Sequence, residues 1–119
     1  MSLEVETVVL PDYLRVSASG EYTLERMYEF INRVKLEADN AGCDRVLIDP
    51  RNVIGNMTEA DRFMAGRLVA EVFGPRLKAA CVMQPGTVTK LGELTAVNRG
   101  ANFFVTESET EAVKWLQTD

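Results

Sequence analysis

Within the stretch "VLIDPRNVIGNMTEADRF", the three residues Val46-Leu47-Ile48 constrain this chain more than any other feature. They are apolar without interruption. A strand with one wet face alternates apolar and polar residues, so this one needs cover on both faces. That requirement places it inside a sheet with helices on each side, and the chain in the α/β class.

The flanking segments supply those layers. Glu4 to Leu10 reads as a strand, Pro11-Asp12 as a turn, and Tyr13 to Ser19 as a second strand with Leu14, Val16 and Ala18 on one side. Strands this close pair as an antiparallel hairpin, which Gly20 ends. Thr23 caps a helix of about four or five turns that closes at Gly42. Its inner stripe is Leu24, Met27, Tyr28, Ile31, Val34, Ala38 and Ala41. Pro50 stops the central strand, leaving Asp49 to accept turn hydrogen bonds.

A second helix runs from Glu59 to Phe73, with Ala60, Phe63, Met64, Leu68, Val69, Val72 and Phe73 inward. Leu77 to Met83 is another buried strand, broken by Pro85-Gly86. A short helix from Lys90 to Asn98 is capped by Gly100, and Phe103-Phe104-Val105 is the last strand. Ser108 and Glu111 form a capping box before a closing helix, where Trp115 shares the apolar side with Ala112, Val113 and Leu116. The order is ββαβαβαβα: one domain over residues 1–119, a mixed sheet with flanking helices. Periodicity leaves the strand order across the sheet open.

Composition narrows the chemistry. The chain has no histidine, which removes Ser-His-Asp triads, Cys-His nucleophiles and the usual zinc sites. Cys43 and Cys81 fit no metal spacing and no redox motif. Gly-x-Gly-x-x-Gly and Gly-Lys-Ser/Thr are both missing, so no nucleotide or other cofactor is expected. Thirteen basic against 18 acidic residues give a formal charge of −5, which disfavours nucleic acid and anionic lipid as default partners. No run nears the roughly 18 apolar residues that cross a bilayer. The acidic opening Met-Ser-Leu-Glu-Val-Glu is unlike a signal peptide. The expectation is a cytoplasmic, non-enzymatic protein that does not span a membrane.

Candidate sites gather where the central strand gives way to the second helix, since ligands collect at the carboxyl ends of strands in open α/β sheets. Asp49, Arg51, Asn52, Asn56 and Met57 are the expected binding surface there. Thr58 is the expected N-cap, and Thr58-Glu-Ala-Asp61 imitates a capping box. A helix start also stabilises an added phosphate, so one residue can be both cap and phosphoacceptor. Met57, Phe63, Met64, Phe73 and Met83 are candidates for an apolar pocket near the strand ends. Methionines as plain core filler are the competing reading.

Two segments, "RVLIDPRNVIGNMTEADRF" and "VNRGANFFVTESETEAVKWL", together with the element order, resemble the STAS domain of anti-sigma-factor antagonists and sulfate transporters. Within it they are similar to the SpoIIAA-like branch. The resemblance spans about the last two thirds of the chain and implies a regulatory or ligand-binding module with a protein partner. In that family an Asp-Ser-Ser-Gly motif at the second helix start carries a serine phosphorylated by a kinase partner. The matching positions here read Asn56-Met57-Thr58-Glu59, with Thr58 as the nearby hydroxyl. The leading expectation is a non-enzymatic module that binds a protein partner through the Thr58 helix start. Thr58 is read first as a plain N-cap and, as the other reading, as the site of a phosphorylation-dependent partner switch. The alternative is a carrier or sensor for a small apolar ligand or lipid beside Met57, Met64 and Phe104. Both are compatible with a homodimer.

Overall fold

The computed structural model describes residues 2–118. Its elements in chain order are β1 (Glu4–Val9), β2 (Leu14–Glu21), α1 (Leu24–Ala41), β3 (Arg45–Ile54), α2 (Glu59–Phe73), β4 (Lys78–Val82), α3 (Leu91–Asn98), β5 (Asn102–Thr106) and α4 (Glu109–Gln117). The strands lie side by side in that same order, β1 antiparallel to β2 and every later pair parallel. When each parallel crossover moves one strand along with the same hand, the connecting helices fall on one face. So α1, α2 and α3 share a face, while α4 turns back and packs on β3, β4 and β5.

This arrangement accounts for the uninterrupted apolar run. β3 is the middle strand, and alternate side chains leave it in opposite directions. Val46 and Ile48 enter the larger core beneath α1 and α2, and Leu47 joins Ala80, Val82, Ala112 and Leu116 beneath α4.

Several local expectations need correction. Pro50 does not stop β3, which continues to Ile54. Ser17 pairs with Asp49 and Ser19 with Asn52, so β3 contributes one residue more than β2 over this step. Pro50 lies in that bulge, where the interrupted ladder tolerates a residue with no N–H. Gly20 likewise lies inside β2, opposite Val53, and does not end the strand. In α1, Phe30 is buried and Ala41 is exposed.

In α2, Ala60 and Phe63 point outward, and the buried residues are Gly66, Val69 and Phe73. The reason lies at Gly66: a Cβ there would stand 2.5 Å from the Gly92 carbonyl oxygen and 2.7 Å from Thr95 Cβ. The smallest residue of α2 sets its facing direction by letting α3 touch its backbone. The rest of the expected stripe holds: Val69 and Phe73 are buried, and Leu68 and Val72 pack half-buried against the same core.

The Ser108 box forms only by half. Ser108 Oγ accepts the Glu111 N–H at 3.2 Å, but the Glu111 carboxylate accepts the Thr106 hydroxyl at 3.0 Å. Thr106 Oγ1 in turn accepts the Ser108 N–H at 3.1 Å, so the return half is relayed through β5.

Candidate functional site

Asp49 shares a face of β3 with Leu47, and its side chain is only 11% exposed. A carboxylate this buried needs positive partners. Arg15, on the α4 side of β2, donates to it at 2.5 Å. Arg51 donates through Nε at 2.8 Å, through Nη2 at 2.9 Å and through its backbone N–H at 3.1 Å. Glu109, in the first turn of α4, accepts from Arg51 at 2.6 Å and from Arg15 at 3.3 Å. Burial pushes the Asp49 carboxyl up, but the hydrogen bonds from Arg51 and Arg15 outweigh it and hold the group at about 2. A proton carrier needs a value near working pH. Asp49 is instead a fixed carboxylate joining the sheet to α4.

The other end of the expected surface lies across the sheet. Thr58 caps α2 as expected, its exposed side chain accepting the Asp61 N–H at 3.0 Å. The Asp61 carboxylate accepts the Tyr22 hydroxyl at 2.9 Å, which fastens the start of α2 to the residue after β2. Burial and then that hydrogen bond raise the Tyr22 phenol. Asn52 and Asn56 are exposed, whereas Met57 turns inward beneath α2. Asp49, Arg51, Asn52, Asn56 and Met57 therefore do not make one surface: the first two are engaged with each other on the α4 side.

What Met57 reaches is a cavity of about 180 Å³ between the sheet and the layer of α1 and α2. Met27, Ile31 and Val34 of α1, Ala65, Val69 and Phe73 of α2, Ile48 of β3 and Phe103 of β5 line it. Polar groups are few, chiefly Arg62, Thr89, Lys90 and Glu93. Glu59 ties that side together, accepting from Thr89 at 2.9 Å and pairing with Arg62 at 3.2 Å. Lys90 takes the left-handed conformation at φ 67°, where a side chain is strained. Its ammonium lies 3.3 Å from Glu93 and 5.0 Å from the centre of the Phe104 ring. Cys81 also lines the cavity; burial pushes its thiol up to about 12, so it is neither thiolate nor nucleophile at neutral pH.

Of the expected pocket residues, Met57, Phe73 and Met83 line this space, and Phe63, Met64 and Phe104 do not. Phe104 lies on the reverse of β5, stacked on Trp115 with ring centres 5.3 Å apart. Its neighbour Phe103 takes the cavity side, as strand alternation requires. Met64 is half-buried outside the lining. Parity along β5 would have separated Phe103 from Phe104 in the sequence. No single-strand pattern signals the coupling of Arg15 and Glu109 to Asp49.

Among the described residues, no three His, Cys, Asp or Glu side chains gather as a metal site, and no helix is long and apolar enough to cross a membrane. No protein-family model matches the chain, and no curated protein matches it by sequence. Solved structures do match. An anti-sigma factor antagonist from Mycobacterium paratuberculosis superposes with a TM-score of 0.64 at 12% identity, covering 98% of this chain and 95% of its own. An uncharacterized DUF3478 protein with a SpoIIAA-like fold, from Shewanella loihica PV-4, superposes with a TM-score of 0.56 at 22% identity, covering 97% and 94%. The chain therefore has the SpoIIAA-like fold that its two sequence segments imply.

Proposed function

We propose that this chain is a non-enzymatic, cytoplasmic binding module that takes a small apolar ligand into the cavity beneath α2. The carrying observation is the cavity itself, about 180 Å³ and lined almost wholly by apolar side chains. An apolar void of about 150 Å³ stays dry and accepts benzene, so this space suits one ring or a short alkyl chain. Native mass spectrometry of the purified protein and titration with an environment-sensitive apolar dye test the reading. Dye binding should be saturable and should be abolished by Ala65→Phe, which fills the space. The absence of both a co-purified ligand and dye binding would contradict it.

The exposed hydroxyl of Thr58, next to Met57, supports a second element of the same function. Ligand occupancy felt by Met57 is one residue from a surface that a protein partner can read, and the similarity to an anti-sigma factor antagonist is consistent with such a partner. Phosphorylation of Thr58 would add charge at a helix start that tolerates it. Thr58→Ser should be nearly silent, while Thr58→Ala should cost about 1 kcal/mol of stability through the lost cap. If Thr58 is a switch, Thr58→Glu changes partner recovery in a pull-down beyond any stability effect. Identical recovery with wild type, Thr58→Ala and Thr58→Glu would leave the residue a cap alone.

A further inference from the structure

Most side-chain hydrogen-bond donors on the cavity wall are already in use. The Tyr22 hydroxyl donates to Asp61 at 2.9 Å, and the Thr89 hydroxyl donates to Glu59 at 2.9 Å. Lys90 donates to the Val105 carbonyl and lies 3.3 Å from Glu93. The Cys81 thiol donates to the Met83 sulfur at 3.6 Å. Arg62 is the exception. Its side chain is only 16% exposed, and it pairs with Glu59 at 3.2 Å. Yet among the described residues no hydrogen bond uses its N–H groups, and no other side chain carries so many. A covered cation whose donors have no acceptor is costly, so the wall is incomplete at this point. Burial raises the Tyr22 phenol and the charge of Arg62 opposes that rise, which places the guanidinium near the hydroxyl. Tyr22 and Arg62 both line the cavity, at its end just past β2 and β3.

We propose that the cavity selects a neutral ligand with one hydrogen-bond acceptor, a ketone or ester carbonyl on a ring or short alkyl chain, and that Arg62 donates to it. This selectivity rests on the ligand-binding reading and names the class of ligand. Neutrality follows from the charges around the donor. The carboxylates Glu59, Asp61 and Glu93 stand with the cations Arg62 and Lys90, so an anion gains no advantage there. A carbonyl meets no such repulsion and still accepts a charge-assisted bond. The rest of the wall, with Ile31, Met57, Val69 and Phe103, suits the apolar body of such a molecule. A pure hydrocarbon would cover the guanidinium and leave it unpaired, which is how a polar site rejects an analogue lacking the group it binds.

Acetophenone, ethylbenzene and benzoate share one ring and a similar size, and differ in this one group. NMR titrations that follow the Met57 amide give their affinities for the full chain and for Arg62→Met. Comparing ratios between the two proteins cancels the ligands' unequal hydrophobicity. The ratio of acetophenone to ethylbenzene affinity should fall about tenfold in Arg62→Met. Arg62→Gln, which keeps an amide donor, should retain part of it. Benzoate should bind the wild type more weakly than acetophenone does. Thermal melts report whether each variant is folded. A measurement on the wild type needs no variant: the infrared carbonyl stretch of bound acetophenone should lie below its value in hexane. An unchanged affinity ratio would mean that water alone satisfies the guanidinium, and would overturn the proposal. So would an unshifted stretch, or benzoate as the tightest ligand. Ethylbenzene binding alongside any of these results leaves the cavity reading standing, whereas binding of none of the three ligands overturns both.

Discussion

Asp49 is held in the charged form by Arg51 and Arg15, and that preference has a pH signature. Its carboxyl lies at about 2 when folded, against an ordinary 3.8. A depressed folded value means stability that is fully present above about pH 4 and lost as the pH falls toward 2. The gap corresponds to about 2 kcal/mol. Asp49→Asn should therefore destabilise most at neutral pH, and its difference from wild type should shrink below about pH 4 in urea unfolding. A difference independent of pH would show that the carboxylate is not held by its neighbours. Gly66 makes a steric prediction at the same scale. Gly66→Ala gains helix propensity but drives a methyl into the Gly92 carbonyl oxygen at 2.5 Å. A net loss of about 2 kcal/mol is expected in urea unfolding; a gain would mean that α3 can retreat freely. Neither role was legible locally. Glu109 is 58 residues from Arg51 in the chain, and Gly66 looks like an ordinary helical glycine until α3 is placed beside it.

At the scale of elements, α4 is secured at both ends. Glu109 in its first turn meets Arg15 and Arg51, and Arg45 and Lys78 donate to the carbonyls of Leu116 and Thr118 at its end. Cations there also complement the helix dipole. Between these ends, Trp115 stacks on Phe104 with Lys78 4.7 Å from its ring centre. The ring is half-buried, so Trp115→Ala should cost about 2 kcal/mol in urea unfolding, less than a fully buried tryptophan. A loss under about 0.5 kcal/mol would mean that the stack contributes little. Element order was the most legible feature, because caps and glycines mark helix ends while apolar runs mark strands. Thr23, Thr58 and Ser108 all cap as their sequences announce. The bulge at Pro50 was not legible, because proline usually ends a strand and only the pairing with β2 shows the extra residue. The inner face of α2 is legible in its second half, where Val69 and Phe73 are buried and Leu68 and Val72 pack against the core; its first half is not, because Ala60 and Phe63 face outward and Gly66 makes the contact with α3.

At the scale of the whole molecule, the sheet separates two environments. On the α4 side a charged network and a small core brace the structure; on the α1–α3 side the larger core leaves an unfilled space. A cavity belongs to no single segment, so Met57, Phe73 and Met83 could be named from sequence while Phe63, Met64 and Phe104 fall outside its lining. The split predicts where a ligand will be felt. In amide-resolved NMR of the labelled protein titrated with a small apolar probe such as benzene, shifts should concentrate at Met57, Ala65, Val69, Cys81 and Phe103. Arg15, Phe104 and Trp115, across the sheet, should remain unmoved. Saturable shifts confined to the first group would support the account, and shifts centred on Trp115, or none up to the solubility limit of the probe, would contradict it.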